Sequence, residues 1–172
     1  MLKKALPPVK RLVFLALFVA LYVVCERFLS FTTWNMRIGF SFVPLAVAGV
    51  LLGPVLTGVV GAAGDLIGMV IYPTGPFFFG FTLNAFLTGF VFGFFLRRRQ
   101  SFAAILSAIL CTQLVLSLFL QTLWISITFG SPYAALLGTR LLQCCVMIPL
   151  EILVLSLLLR KQIAALLRKA EA

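Results

Sequence analysis

The sequence predicts an all-α membrane protein, a six-transmembrane-helix bundle with both termini in the cytoplasm. Three observations predict it. The chain is 63% hydrophobic and only 10% charged over 172 residues, well beyond the roughly half-apolar composition of a soluble domain. Its apolar runs, punctuated by charge, Gly and Pro, each approach the about 20 residues that a helix needs to cross a bilayer core. The basic residues fall between those runs in a pattern that specifies one orientation.

The runs lie at about 12 to 28, 37 to 52, 55 to 71, 80 to 96, 102 to 125 and 133 to 159, and together they read as one integral membrane domain over 1–172. Lys3, Lys4, Lys10 and Arg11 precede the first. A cleaved secretory signal is the competing reading there, but Tyr22-Val23-Val24 before Cys25 lacks the small residues of a cleavage site. Gly53-Pro54 alone separates the second run from the third, which predicts a tight turn, since Pro cannot continue a helix yet starts one well. Arg97, Arg98 and Arg99 close the fourth. The sixth is about 27 residues long with Pro149 inside it, so tilt, a kink or a cytoplasmic extension is expected. Beyond Arg160 and Lys161, Ile163 to Leu167 with Arg168 and Lys169 read as an interfacial helix on the lipid surface.

Eleven of the fourteen basic residues thereby share one side, while the connections near 29 to 36, 72 to 79 and 126 to 132 carry no Lys or Arg. The positive-inside rule puts the basic side in the cytoplasm. The same clustering argues against nucleic acid as the explanation of the net charge of +10, because these residues form no polar face. Cys25, Cys111, Cys144 and Cys145 sit in or at the ends of apolar runs without a CxxC pair, and the chain has no His. They read as small packing residues, with no metal or cofactor implied.

Removing the topology charges leaves Arg27, Arg37 and Arg140, with Glu26, Asp65 and Glu151, in or at the ends of helices. Ionisable groups at membrane depth cost several kcal/mol unless paired or facing a polar cavity. Arg27 and Arg37 flank the first outer connection, where snorkelling to the interface is the competing reading. Arg140 lies about two turns below the outer end of its helix. Asp65 lies near mid-membrane among Gly61, Gly64 and Gly68, and for it and Arg140 a structural ion pair is the alternative. Glu151, beside Pro149 in the cytoplasmic third, reads as structural or coupling rather than ligand-binding.

Trp34 and Asn35 in the first outer connection, and Tyr72 to Thr82 in and after the second, supply aromatic rings and turn formers. They fit either an interfacial belt or a stacking lid over an outward-facing pocket. Ala16-xxx-Ala20, Gly49-xxx-Gly53, Gly64-xxx-Gly68, Gly89-xxx-Gly93 and Ala104-xxx-Ala108 place small side chains one turn apart, which permits close helix approach. Most of these faces are expected inside the bundle, with at least one left to dock a partner.

Over nearly the whole chain the sequence resembles the substrate-binding S components of energy-coupling factor vitamin transporters, most of all their folate-specific branch. The residues that carry the resemblance are Arg37 to Pro44 (RIGFSFVP), Gly49 to Pro54 (GVLLGP), Gly61 to Gly68 (GAAGDLIG), Pro73-Thr74-Gly75 with Phe79 to Thr82 (FGFT), and Met147 to Glu151 (MIPLE). The resemblance implies a multi-pass protein of the bacterial cell membrane that captures a vitamin from outside. Delivery is then through a complex with a transmembrane coupling subunit and two cytoplasmic ATPases. It also implies that Ala16 and Ala20 form the docking face. This chain has no GxxxxGK[ST] phosphate loop of its own.

A folate ligand suits the leftover charges. Its pterin offers adjacent ring N–H and amino donors that one buried carboxylate, Asp65, can accept. Its glutamate tail suits the guanidinium forks of Arg27 and Arg37. Trp34, Tyr72 and Phe79 are candidates to stack on the rings, Thr82 and Asn84 to complete the polar contacts, and Arg140 either to bind the tail or to neutralise Asp65. The alternatives are another vitamin on the same fold (thiamine, riboflavin or pantothenate), a self-sufficient small transporter, or an intramembrane enzyme. An enzyme is disfavoured because no nucleophile with its base can be assembled without His or a G-x-S-x-G turn. A self-sufficient pathway is disfavoured because the polar groups gather in the outer half.

Overall fold

The computed structural model describes residues 7–32, 37–73, 75–98 and 101–170. The elements in order are α1 (Pro8–Arg27), β1 (Ser30–Thr32), β2 (Arg37–Gly39), α2 (Phe42–Leu52), α3 (Pro54–Ile71), α4 (Phe79–Arg98), α5 (Phe102–Leu110), a π-helix π1 (Cys111–Gln121), α6 (Thr122–Phe129) and α7 (Tyr133–Ala170). α5, π1 and α6 run on without a break as one apolar rod over Phe102–Phe129.

Local chemistry sets the boundaries. Pro8 and Pro54 start α1 and α3 at the helix position where a missing N–H costs nothing. Between α2 and α3, Gly53 takes φ +87°, and a Cβ there would run into the Arg97 side chain of α4. Ser101 caps α5, its side chain accepting from the Ala104 amide at 3.4 Å. Gly130, at φ +64°, ends α6 in the left-handed conformation that glycine adopts without a Cβ penalty.

Four helical stretches are long and apolar enough to cross a bilayer: Pro54–Ile71, Phe79–Arg97, Phe102–Phe129 and Tyr133–Leu159. α1 is 20 residues long, whereas α2 has only 11, about 16 Å of helix. The expectation of a helix from 37 is corrected here. Arg37, Ile38 and Gly39 pair antiparallel with Thr32, Phe31 and Ser30 in a two-stranded ribbon, so their backbone bonds go across a hairpin rather than along a helix. Gly39 is needed for that pairing, since a Cβ on it would come within 2.5 Å of the Ser30 Cβ. Ser30 in turn donates its hydroxyl to the Glu26 carbonyl at the end of α1. Pro149 does not stop α7, which spans 38 residues, Tyr133–Ala170.

The core lies where α1, α2, α3, α4, α5 and α7 meet, around Phe18, Leu45, Ala46, Ala48, Val60, Phe92, Leu96, Ile109 and Leu155. Glycines on α3 and α4 bring the backbones together. A Cβ on Gly61 would meet the Ala85 carbonyl oxygen, one on Gly89 the Thr57 carbonyl oxygen, and one on Gly93 the Pro54 Cα at 2.5 Å. Large apolar side chains such as Val70, Phe94, Leu142 and Leu153 point outward, where lipid rather than water would solvate them.

Candidate functional site

One cavity of about 820 Å³ opens inside the helices, within the usual range for small-molecule sites. The short α2 helps to explain it. About 16 Å of helix cannot flank its longer neighbours over their whole length, and the hairpin stands in the remaining space, so Gly39 and Ser41 join Phe42 and Leu45 in the wall. The cavity is elongated. Arg140 and Glu151, seven and eighteen residues after the first residue of α7, both line it, which corresponds to about 10 and 27 Å along the helix.

One wall is polar and internally bonded. Arg27, at the end of α1, donates from Nη2 to Asp65 Oδ1 at 3.4 Å and to the Asp65 carbonyl at 3.3 Å. Thr82 on α4 donates to Asp65 Oδ2 at 2.8 Å. Arg27, Asp65 and Thr82 are all buried, so this arrangement ties three helices together and pairs charges that would be costly alone at membrane depth. Two glycines of α3 make room for it: a Cβ on Gly68 would lie 2.5 Å from Arg27 Nε, and one on Gly64 would strike the Tyr22 ring. Asn84, two residues beyond Thr82 on α4, lines the cavity.

The opposite wall belongs to π1 and α7. Thr112, Gln113, Ser117 and Gln121 line the cavity, whereas Leu114, Val115 and Phe119 are exposed on the outside. Thr112 and Gln121 are nine residues apart. At 3.6 residues per turn that is about two and a half turns, which would put them on opposite faces. The i→i+5 bonding of a π-helix widens the turn beyond four residues, so nine residues come near two full turns. The π segment thus gathers four polar side chains on one strip. From α7, Arg140, Gln143, Met147 and Glu151 form the facing stripe, and Gln113 donates from Nε2 to Glu151 Oε1 at 2.6 Å.

Tyr72, Phe77 and Phe78 of the α3–α4 connection, with Phe81 from the first turn of α4, close one end. Phe78 packs on Trp124 with ring centroids 5.5 Å apart and on Phe81 at 5.9 Å. Gly80 permits this, because a Cβ there would lie 2.5 Å from Phe78 and 2.6 Å from Trp124.

The structure therefore brings Asp65, Arg27, Arg140, Tyr72 and Asn84 to one cavity, with Thr82 behind Asp65. Phe79 is not among the lining residues: it is 69% exposed, because as the first residue of α4 it points away from the bundle while Phe78 and Phe81 face inward. Arg37 contributes a described backbone only, in β2, and Trp34 lies outside the described residues. Arg27, expected to serve the ligand's tail, pairs with Asp65. Glu151, expected away from the ligand, lines the cavity at 3% exposure. Gln113, Gln121 and Gln143 were missed, although amides inside apolar runs carry the same signal as buried charges.

Comparison with known proteins agrees with this geometry. Residues 10–159 match the family model described as ECF transporter, substrate-specific component. The chain belongs to that family. It is 37% identical over 145 residues, 84% of each chain, to the folate transporter FolT of Clostridium novyi. A second FolT, from Leuconostoc mesenteroides, is 24% identical over 161 residues, covering 90% of this chain and 86% of that one. Among solved structures, FolT bound with folic acid superposes with a TM-score of 0.85 at 29% identity, over 90% of this chain and 96% of the other. As an S component the chain is an integral membrane protein of transport and not an enzyme.

Proposed function

We propose that this S component binds folate from outside the cell and delivers it through a complex with a transmembrane coupling subunit and two cytoplasmic ATPases. The observation that carries the reading is the polar, elongated cavity in a fold that superposes on FolT bound with folic acid. In this reading the chain forms a single membrane domain of six crossings, with both termini cytoplasmic. α2 then contributes a short leg whose outer part is replaced by the hairpin, acceptable because its backbone is paired within the protein.

The proposed binding set is Asp65, Arg27, Arg37, Arg140, Tyr72, Thr82 and Asn84, with Trp34 and Phe79 from the outer connections. The guanidinium groups suit the glutamate carboxylates of folate. Tyr72, Phe78 and Phe81, which line the cavity, suit the flat rings. Phe79 contributes from outside the lining if the connection rearranges around the ligand.

Ala16 and Ala20 are the proposed docking face for the coupling subunit. Both are exposed on α1, whereas Gly49, Gly53, Gly64, Gly68, Gly89, Gly93 and Ala108 are buried inside the bundle. Small residues on an exposed helical stripe let a partner helix approach closely in lipid.

Calorimetry on the purified protein in detergent, titrated with folate, thiamine, riboflavin and pantothenate, tests the ligand. Heat with folate and none with the others is expected. Silence with folate and heat with another vitamin would overturn the assignment.

A further inference from the structure

Three carboxylates, Glu26, Asp65 and Glu151, line the cavity, and the bonding of the last two differs. Asp65 has both oxygens engaged within the protein, Oδ1 by Arg27 and Oδ2 by Thr82. Glu151 has one oxygen held by Gln113 at 2.6 Å, while Oε2 is buried with no hydrogen-bond partner among the described residues. An unmet buried acceptor is costly, and a buried charged one more so. Met147, one turn along α7, and Gln113 across from it also line this part of the cavity. The site asks for a donor, and the thioether of Met147 beside it suits a flat, weakly polar body.

We propose that Glu151, positioned by Gln113, accepts the N–H donor edge of the ligand's heterocycle at the deep end of the cavity. This rests on the folate reading and moves the donor-edge contact from Asp65 to Glu151. A 2-amino-4-oxopyrimidine ring presents a ring N–H and an exocyclic amino group side by side. A carboxylate receives them as a pair, one N–H on Oε2 and the other on the second lone pair of Oε1. Gln113 fixes the carboxylate plane. Asp65 then has a different task, holding the Arg27 guanidinium for the ligand's anionic end. Since Glu151 lies about 16 Å further along α7 than Arg140, the donor end and the anionic end are recognised at opposite ends of one elongated cavity.

The test is calorimetry of wild-type, Glu151→Gln and Gln113→Ala proteins. The probes are folate, a folate analogue with a 2,4-dioxo ring in place of the 2-amino-4-oxo ring, and p-aminobenzoylglutamate, which lacks the heterocycle. The wild type is expected to prefer folate to the dioxo analogue by at least about tenfold, the scale of a charge-assisted hydrogen bond. Glu151→Gln is expected to lose at least that factor for folate and most of the discrimination, while binding p-aminobenzoylglutamate as the wild type does. Gln113→Ala should lie between. Undiminished discrimination in Glu151→Gln, or equal losses for all three probes, would overturn the proposal while leaving folate as the ligand. A folded wild type that binds no folate would instead overturn the vitamin assignment on which it rests.

Discussion

Arg27 and Asp65 stand 38 residues apart in sequence and 3.4 Å apart in space, joining the end of α1 to α3 in the cavity wall. The pair is completed by Thr82 on the other carboxylate oxygen, so one aspartate organises three helices and aims one guanidinium.

Asp65→Asn should weaken folate binding by about 1.5 to 3 kcal/mol, the scale of a hydrogen bond to a charged group. Thr82→Val, which leaves the ion pair in place, should cost less, about 1 kcal/mol. Calorimetry on the detergent-purified variants checks both, and an unchanged affinity in Asp65→Asn would remove this residue from the site.

Gly68→Ala and Gly61→Ala separate binding from stability. A methyl group on Gly68 meets the flexible Arg27 side chain at 2.5 Å, so the guanidinium must shift and folate affinity should drop while the melting temperature moves little. A methyl group on Gly61 meets the Ala85 carbonyl, which cannot yield without moving α4, and should destabilise the fold by about 1 to 3 kcal/mol. Thermal unfolding and titration of the same two samples distinguish the outcomes.

Ala16→Trp should leave folate affinity at the wild-type value and abolish copurification with the coupling subunit, because a bulky ring on the exposed stripe of α1 blocks close helix approach. Normal assembly would refute that face.

Gln121→Leu should weaken folate binding by about 1 kcal/mol, whereas Phe119→Leu, two residues earlier but on the outside, should not. Equal effects in a binding titration would contradict the strip of polar residues along π1.

Much of this was legible in residue order alone. Long apolar runs and Gly53-Pro54 as a turn follow from local chemistry, because each rule acts within one helix or one connection. The charges inside apolar runs marked Arg27, Asp65 and Arg140, since such residues are too costly in lipid to be idle. Their partners were not legible. Which cation meets Asp65 depends on how α1, α3 and α7 cross, and that is decided by glycines whose missing side chains admit Tyr22, Arg27 and the α4 backbone.

The helix expected from 37 failed for a related reason. Arg37 to Gly39 finds its hydrogen-bond partners in Ser30 to Thr32, a pairing between segments that no periodicity within 37 to 52 reports. Likewise the hydropathy of residues 102 to 129 announces a long apolar helix but not its π stretch, which depends on backbone bonding and turns Thr112 and Gln121 to one side. Sequence by itself determined the solvent of this protein and which residues are expensive enough to carry chemistry. Tertiary structure decided where those residues point: Arg27 onto Asp65, Phe79 out to the surface, and Glu151 into the cavity, because direction is set by contacts between helices rather than by any one helix.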